Sequence, residues 1–307
     1  MKHAMILMFV LCAALGARAQ QAGDANAQAL SRQADAAYDA QDWAKATSLY
    51  EQVSKQEPVA PRTWLRLGAA LRAVGRYDEA VASFEKAIQS GAATQGEYGK
   101  AATYAAMKQP DQALASLDKA MQQGYATPDV LASDPKFASL RDLPAFAKLV
   151  EQAKRNQKPC AYTPENREFD FWIGEWNVSS TQGATPAGNS KIELILDDCV
   201  IQENWSSLNS PYTGKSYNIY NAALKRWEQY WVDSVGGNIL FHGGLKDGVM
   251  DYWTDEIPQP GGTVLKRHLQ FFKLGPDTVR QFSQGSTDGG KTWHVEYDLT
   301  YVRRGKT

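Results

Sequence analysis

The residues best placed to do chemistry lie in three short runs. They are Glu203 and Trp205 in Asp198–Trp205, Asn218 and Tyr220 in Gly214–Tyr220, and Gln229, Trp231 and Asp233 in Trp227–Asp233. Alternate residues of an extended chain share a face. Glu203 and Trp205 therefore lie with Cys199 and Ile201, Ser216 with Asn218 and Tyr220, and Trp227 with Gln229, Trp231 and Asp233. Turned inward, these faces would line an aromatic cavity with a few fixed polar groups, the usual constitution of a small-molecule site. Arg267 and Arg280 would supply its positive charge. Two other readings stand beside this one. The aromatics could fill a closed core, as in many small barrels, or Glu203 and Asp233 could form the carboxylate pair of a hydrolase acting on envelope or carbohydrate substrates. No G-x-S-x-G, H-E-x-x-H or P-loop is present.

Those runs need strands to position them. From Phe169 onward short alternating stretches are separated by turn signals at 183–189, 207–214, 236–238, 243–244, 258–262 and 275–277. Seven of the nine tryptophans fall in this half, so it must bury large aromatics in an antiparallel β-sheet. The span 167–305 suits one barrel. Phe169-Asp170-Phe171-Trp172-Ile173-Gly174-Glu175-Trp176 opens it, and Tyr301-Val302-Arg303-Arg304 ends it.

Residues 24–154 are of a different kind. They are rich in Ala, Gln and Lys, carry helical periodicity and hold few β-branched residues. They also repeat: Asp42-Trp43-Ala44-Lys45-Ala46 recurs as Arg76-Tyr77-Asp78-Glu79-Ala80 and as Gln109-Pro110-Asp111-Gln112-Ala113. The last alanines are 34 and then 33 residues apart. With Trp64, Leu67, Gly68, Gly75, Tyr77, Ala80, Phe84 and Ala87 at the pattern's spacing, residues 24–127 resemble tetratricopeptide repeats. Pro110 must begin a helix, and 128–154 reads as a cap of two short helices. Residues 155–166, with two prolines, read as the linker. The resemblance implies a module that docks a protein or peptide partner; a plain structural spacer is the alternative.

The order of motifs in residues 160–305 resembles a family of bacterial exported proteins with a lipocalin-like barrel and no established activity. The resemblance implies a calycin-type closure in which Trp176 packs beneath a basic side chain of the last strand, Arg303 or Arg304. The expected fold is therefore multidomain: an all-α repeat solenoid followed by an all-β antiparallel lipocalin-like barrel. Ser286-Thr287-Asp288-Gly289-Gly290-Lys291-Thr292-Trp293 also resembles the Asp-box of sialidases. Its chemistry is a tight turn in which Ser286, Asp288, Gly290, Thr292 and Trp293 staple a hairpin. His242, His268 and His294 are too scattered for a metal triad, so no metal or cofactor is expected. A haem held by one of these histidines, as in some lipocalin-like barrels, is the alternative.

Residues 1–19 read as a signal peptide. Lys2 and His3 lead an apolar run from Ala4 to Leu15, and Ala17-Arg18-Ala19 is a cleavage site. A dozen apolar residues is too short for a bilayer, which needs about 20. Leu11 is the wrong residue before a lipidated Cys12. The expectation is a periplasmic or secreted protein, cut near Ala19, without a membrane span. Losing Lys2 and Arg18 takes the formal charge from −1 to −3, which excludes the basic footprint of a nucleic-acid binder. Cys160 and Cys199 then remain as a pair. In an exported protein the simplest reading is a disulfide, contributing about 2–4 kcal/mol; two unrelated thiols are the other.

Overall fold

The computed structural model describes residues 26–56 and 58–305. The signal-like segment 1–19, Cys12 and the start of the helical region at 24 lie outside the described residues. The chain divides into two compact units, Met1–Gln157 and Lys158–Thr307.

The first unit is a stack of helix pairs. Helix α1 runs through 26–39, followed by α2 (Trp43–Val53), α3 (Pro61–Ala73), α4 (Tyr77–Gln89), α5 (Ala93–Ala106) and α6 (Pro110–Gln122). Asp42 caps α2, its carboxylate accepting the Lys45 N–H at 3.2 Å. Pro61 and Pro110 stand at helix starts, where a missing N–H costs nothing. The repeating alanines Ala46, Ala80 and Ala113 are fully buried, because only small side chains let paired helices approach this closely. Phe84 fills the gap they leave. A β-carbon on Gly68 would come within 2.9 Å of its ring, and one on Gly99 within 2.3 Å.

The cap differs from the expected pair of short helices. After α7 (Pro128–Ser133) and a 3-10 turn (Pro135–Leu140) comes α8 (Pro144–Gln157), a helix of 14 residues. Its buried Phe146, Leu149 and Ala153 lie on one face at helical spacing and close the core that α5 and α6 leave open. Among the described residues no helix is long and apolar enough to cross a membrane.

The second unit begins with α9 (Pro159–Tyr162) and 3-10 turns at Pro164–Arg167 and Asp170–Trp172. The stretch read as linker is thus largely helical. Its Cys160 is joined by a disulfide to Cys199, with the Cα atoms 4.9 Å apart. Eleven strands follow: β1 (Gly174–Ser180), β2 (Pro186–Ile195), β3 (Val200–Ser207), β4 (Thr213–Asn221), β5 (Arg226–Asp233), β6 (Asn238–Lys246), β7 (Val249–Trp253), β8 (Ile257–Pro258), β9 (Val264–Lys273), β10 (Thr278–Ser286) and β11 (His294–Arg303). Each pairs antiparallel with its neighbour, β7 with β9, and β11 returns to β1, so ten strands close a barrel with β8 on the edge of β9.

Two expected turns lie elsewhere. Gly243 and Gly244 are inside β6, where a β-carbon on Gly243 would stand 1.9 Å from the Asp251 carbonyl oxygen of β7. The real turn is the two-residue loop Asp247-Gly248, whose positive φ angles suit a tight hairpin. Pro186 to Asn189 belong to β2 rather than to the preceding turn.

Candidate functional site

One end of the barrel is filled. Phe169 and Trp172, carried in by the helical turns before β1, pack among Trp176, Trp227, Tyr252 and Phe271, all buried. Trp176 donates its indole N–H to the Trp172 carbonyl at 2.8 Å. The Arg303 guanidinium lies 4.3 Å from the Trp176 ring centroid, donates to the Ile173 carbonyl at 2.9 Å and pairs with Asp277 at 2.9 Å. Arg304 instead stays exposed, bonded to Asn177 and Asn189. Of the two arginines only Arg303 stands over Trp176.

The other end holds a cavity of about 410 Å³. Glu203, Trp205, Gln229, Trp231, Asp233 and Arg267 line it, together with Tyr212, Ile239, Phe241, Gln281, Tyr297, Leu299 and Tyr301. The last group was missed by the sequence reading, although Tyr297, Leu299 and Tyr301 alternate along β11 and share one face by the same rule that placed the others.

Three expected wall residues are elsewhere. Asn218 faces inward in register with Gln229 but is fully buried and does not line the cavity, donating to the Ile201 carbonyl at 3.1 Å and to Ser216 Oγ at 3.1 Å. Tyr220 points to the filled end, edge-on to Trp227. Arg280 is on the outer face, because its neighbours Val279 and Gln281 take the inward positions. There it pairs with Asp298 at 2.8 and 2.9 Å and lies over the Phe272 and Phe282 rings. Among the described residues the cavity's positive charge comes from Arg267 alone, and that side chain is held by Glu296 at 2.8 Å.

Glu203 is the most unusual group in the wall. It is 3% exposed and accepts from Ser190 Oγ at 2.8 Å and Ser216 Oγ at 3.1 Å. The Tyr301 hydroxyl stands 3.4 Å away but gives its proton to Gln281 at 2.7 Å. Burial pushes the Glu203 carboxyl up to about 7 despite these donors. Asp233 is its opposite. Burial works against the charge, but the N–H groups of Gly237 and Val235, then Tyr212 and Trp231, hold it below the usual carboxylate range. Asp233 and Glu203 stand two strands apart and one inward step out of register. Asp233 Oδ1 accepts from the 234–237 turn, while Oδ2 accepts from Tyr212 and Trp231.

None of the three histidines lines the cavity. His242 hydrogen-bonds the Trp253 carbonyl, His268 bonds Asp251 and stacks on Trp253 with ring centroids 3.7 Å apart, and His294 is exposed at the start of β11. His242 and His268 alternate with the inward residues Phe241 and Leu269. Among the described residues no three His, Cys, Asp or Glu side chains gather as a metal site.

The loop between β10 and β11 is a stapled hairpin. Asp288 Oδ1 accepts the Lys291 and Thr292 N–H groups and Ser286 Oγ, while Oδ2 accepts Thr292 Oγ1 at 2.7 Å. Gly290 N–H bonds Ser286 Oγ, and Trp293 donates to the Gly290 carbonyl. The Thr292 backbone, then its hydroxyl, hold the Asp288 carboxyl far below its ordinary value. A depressed carboxyl stabilises the fold above its unfolded value and loses that contribution only in stronger acid. Asp288→Ala is therefore expected to abolish amide protection at Lys291 and Thr292 by hydrogen exchange at neutral pH while the β10–β11 ladder stays protected.

Residues 31–97 match the sequence model of the tetratricopeptide repeat family. No curated protein matches the chain. Among solved structures, MamA MSR-1 is similar at 27% identity over 31% of this chain and 56% of its own, with a TM-score of 0.30. The TPR2B domain of yeast Sti1, solved in a complex with pHsp70, shows 24% identity over 42% and 96%, TM-score 0.31. The S-type phycobiliprotein lyase CPES from Guillardia theta shows 15% identity over 49% and 98%, TM-score 0.32. The chain spans 56% and 60% of the length of the first two MamA structures it matches.

Proposed function

We propose that this is an exported binding protein whose barrel, of lipocalin-like type, holds a small or amphipathic ligand and whose helical repeats dock a protein or peptide. The observation that carries the reading is the cavity: about 410 Å³ of open space beside a barrel end packed solid with aromatics. A barrel built only as scaffold has no reason to leave such space, because interiors otherwise pack to crystal density. Its walls combine apolar rings with a few fixed polar groups, as ligand sites do. The repeat match at 31–97 supports the docking role, since stacked helix pairs present an extended face to a partner. The signal-like residues 1–19 support export to the periplasm or beyond.

Native mass spectrometry of the protein purified from its own periplasm, with an absorbance scan, tests this. The expected result is a retained mass that disappears in Trp231→Ala, because the indole forms part of the wall. A bare mass on both proteins would count against the barrel and leave the helical unit as the functional surface.

A further inference from the structure

A chain of donors ends on Glu203. Gln229 Nε2 donates to Asn218 Oδ1 at 2.7 Å, Asn218 Nδ2 donates to Ser216 Oγ at 3.1 Å, and Ser216 Oγ donates to Glu203 Oε2 at 3.1 Å. The Ile201 carbonyl fixes the direction, because it accepts from the Asn218 amide and so leaves Oδ1 facing Gln229. Ser190 adds a donor on Oε1. The carboxylate of Glu203 is thus prepared to be an anion, yet among the described residues no cationic side chain forms an ion pair with it. Two hydroxyl donors fill two of about four lone-pair positions of a carboxylate. A buried charge is costly unless paired, and among the described residues no side chain supplies the partner.

The walls fit such a partner. The Trp205 indole rests on Gly188 of β2 and the Trp231 indole on Gly214 of β4, where a β-carbon would come within 2.5 and 2.1 Å of each ring. Indoles are the best faces for a cation. The charged groups around the cavity agree: Glu203, Asp233 and Glu296 stand against Arg267 alone, and Arg267 is neutralised by Glu296.

Building on the binding reading, we propose that the barrel cavity takes an organic cation, with the protonated amine on Glu203 and the apolar body against Trp205 and Trp231. Binding then depends on pH, since an amine of this kind stays protonated up to about pH 10 while Glu203, lifted to about 7 by burial, must be ionised to meet it. The other groups facing Glu203 are two phenols, one carboxylate and one ion pair. Burial holds the Tyr297 and Tyr301 phenols above their ordinary value, Asp233 is held below its own, and Arg267 stays with Glu296.

Three probes of one shape test this by titration calorimetry on the full chain: tryptamine, tryptophol and indole-3-propionate, which differ only in carrying an amine, a hydroxyl or a carboxylate. Tryptamine is expected to bind about tenfold or more tighter than the other two at pH 8. Its affinity should fall by about a hundredfold between pH 8 and pH 5, as the ionised fraction of a carboxyl at about 7 does, and Glu203→Gln should remove both the preference and the pH dependence. A cooperative melt of Glu203→Gln checks that the variant is folded. If tryptophol or indole-3-propionate binds as well as tryptamine and is lost in Trp231→Ala, the barrel still binds ligands and the cation assignment is overturned. If none of the three binds and native mass spectrometry shows a bare mass, both readings fall.

Discussion

Replacing Trp176 by alanine is expected to cost about 3–5 kcal/mol, the range for removing a fully buried aromatic, and to lower the urea midpoint of the barrel accordingly. The indole is completely buried and links three parts of the fold: the Trp172 turn, the Arg303 guanidinium of β11 and the barrel core. Its loss opens a hole at the filled end and leaves the Arg303 guanidinium without the ring beneath it. Gly174→Ala should act on the same closure without removing any aromatic. Gly174 has φ +143°, and a β-carbon there would stand 2.1 Å from Arg303 Nη1. The strained backbone alone costs about 1–3 kcal/mol, and Arg303 must move as well. Near-UV circular dichroism during urea unfolding reads both variants through the tryptophans. A midpoint unchanged in both would mean that Trp176 and Arg303 do not hold this end shut.

Glu203→Gln should stabilise the ligand-free protein at pH 8 by about 3 kcal/mol and change little at pH 4. The sign follows from the direction of the shift. Burial lifts the carboxyl from 4.5 to about 7, so between these values the folded state holds a proton that the unfolded chain has released. The parent is therefore most stable below about 4.5, and this contribution is lost as pH rises through about 7. A shift of that size corresponds to about 3 kcal/mol at 1.36 kcal/mol for each pKa unit. Glutamine keeps the shape and one acceptor oxygen, carries no charge, and so removes the slope. Thermal melts of parent and variant from pH 4 to 8, without added amine, give the comparison. Parallel stability profiles would show that Glu203 keeps an ordinary carboxyl in the folded protein. The result also bears on the cation proposal, because an amine on Glu203 restores the missing countercharge and should return the parent's stability at pH 8.

Much of this was open to reading in the chain. The 34- and 33-residue spacing of Ala46, Ala80 and Ala113 reports helix pairs directly, because close approach of helices tolerates no larger side chain there. Strand alternation turns Glu203, Trp205, Gln229, Trp231 and Asp233 to one interior, since a period of two is built into an extended backbone. The Ser286–Trp293 staple is local, and its geometry closes within eight residues.

What alternation cannot supply is phase relative to other strands and depth along the barrel. Arg280 satisfied the chemistry sought in a cavity, yet it lies outside because Val279 and Gln281 take the inner positions. Tyr220 shares a face with Ser216, but two steps along β4 carry it from the cavity wall into the filled end. Gly243-Gly244 had the composition of a turn and instead allows β7 to approach β6. Asp233, read as half of a carboxylate pair, also gives Oδ1 to the 234–237 turn. By itself the sequence determined two folded halves, their types and which side chains share a strand face, because those are set by local geometry and periodicity. The tertiary structure decided which end of the barrel is solid, which arginine stands over Trp176, and that Glu203 ends a donor chain with no cation paired to it among the described residues. Those facts depend on contacts between strands distant in sequence, where burial and register fix the environment of each charge.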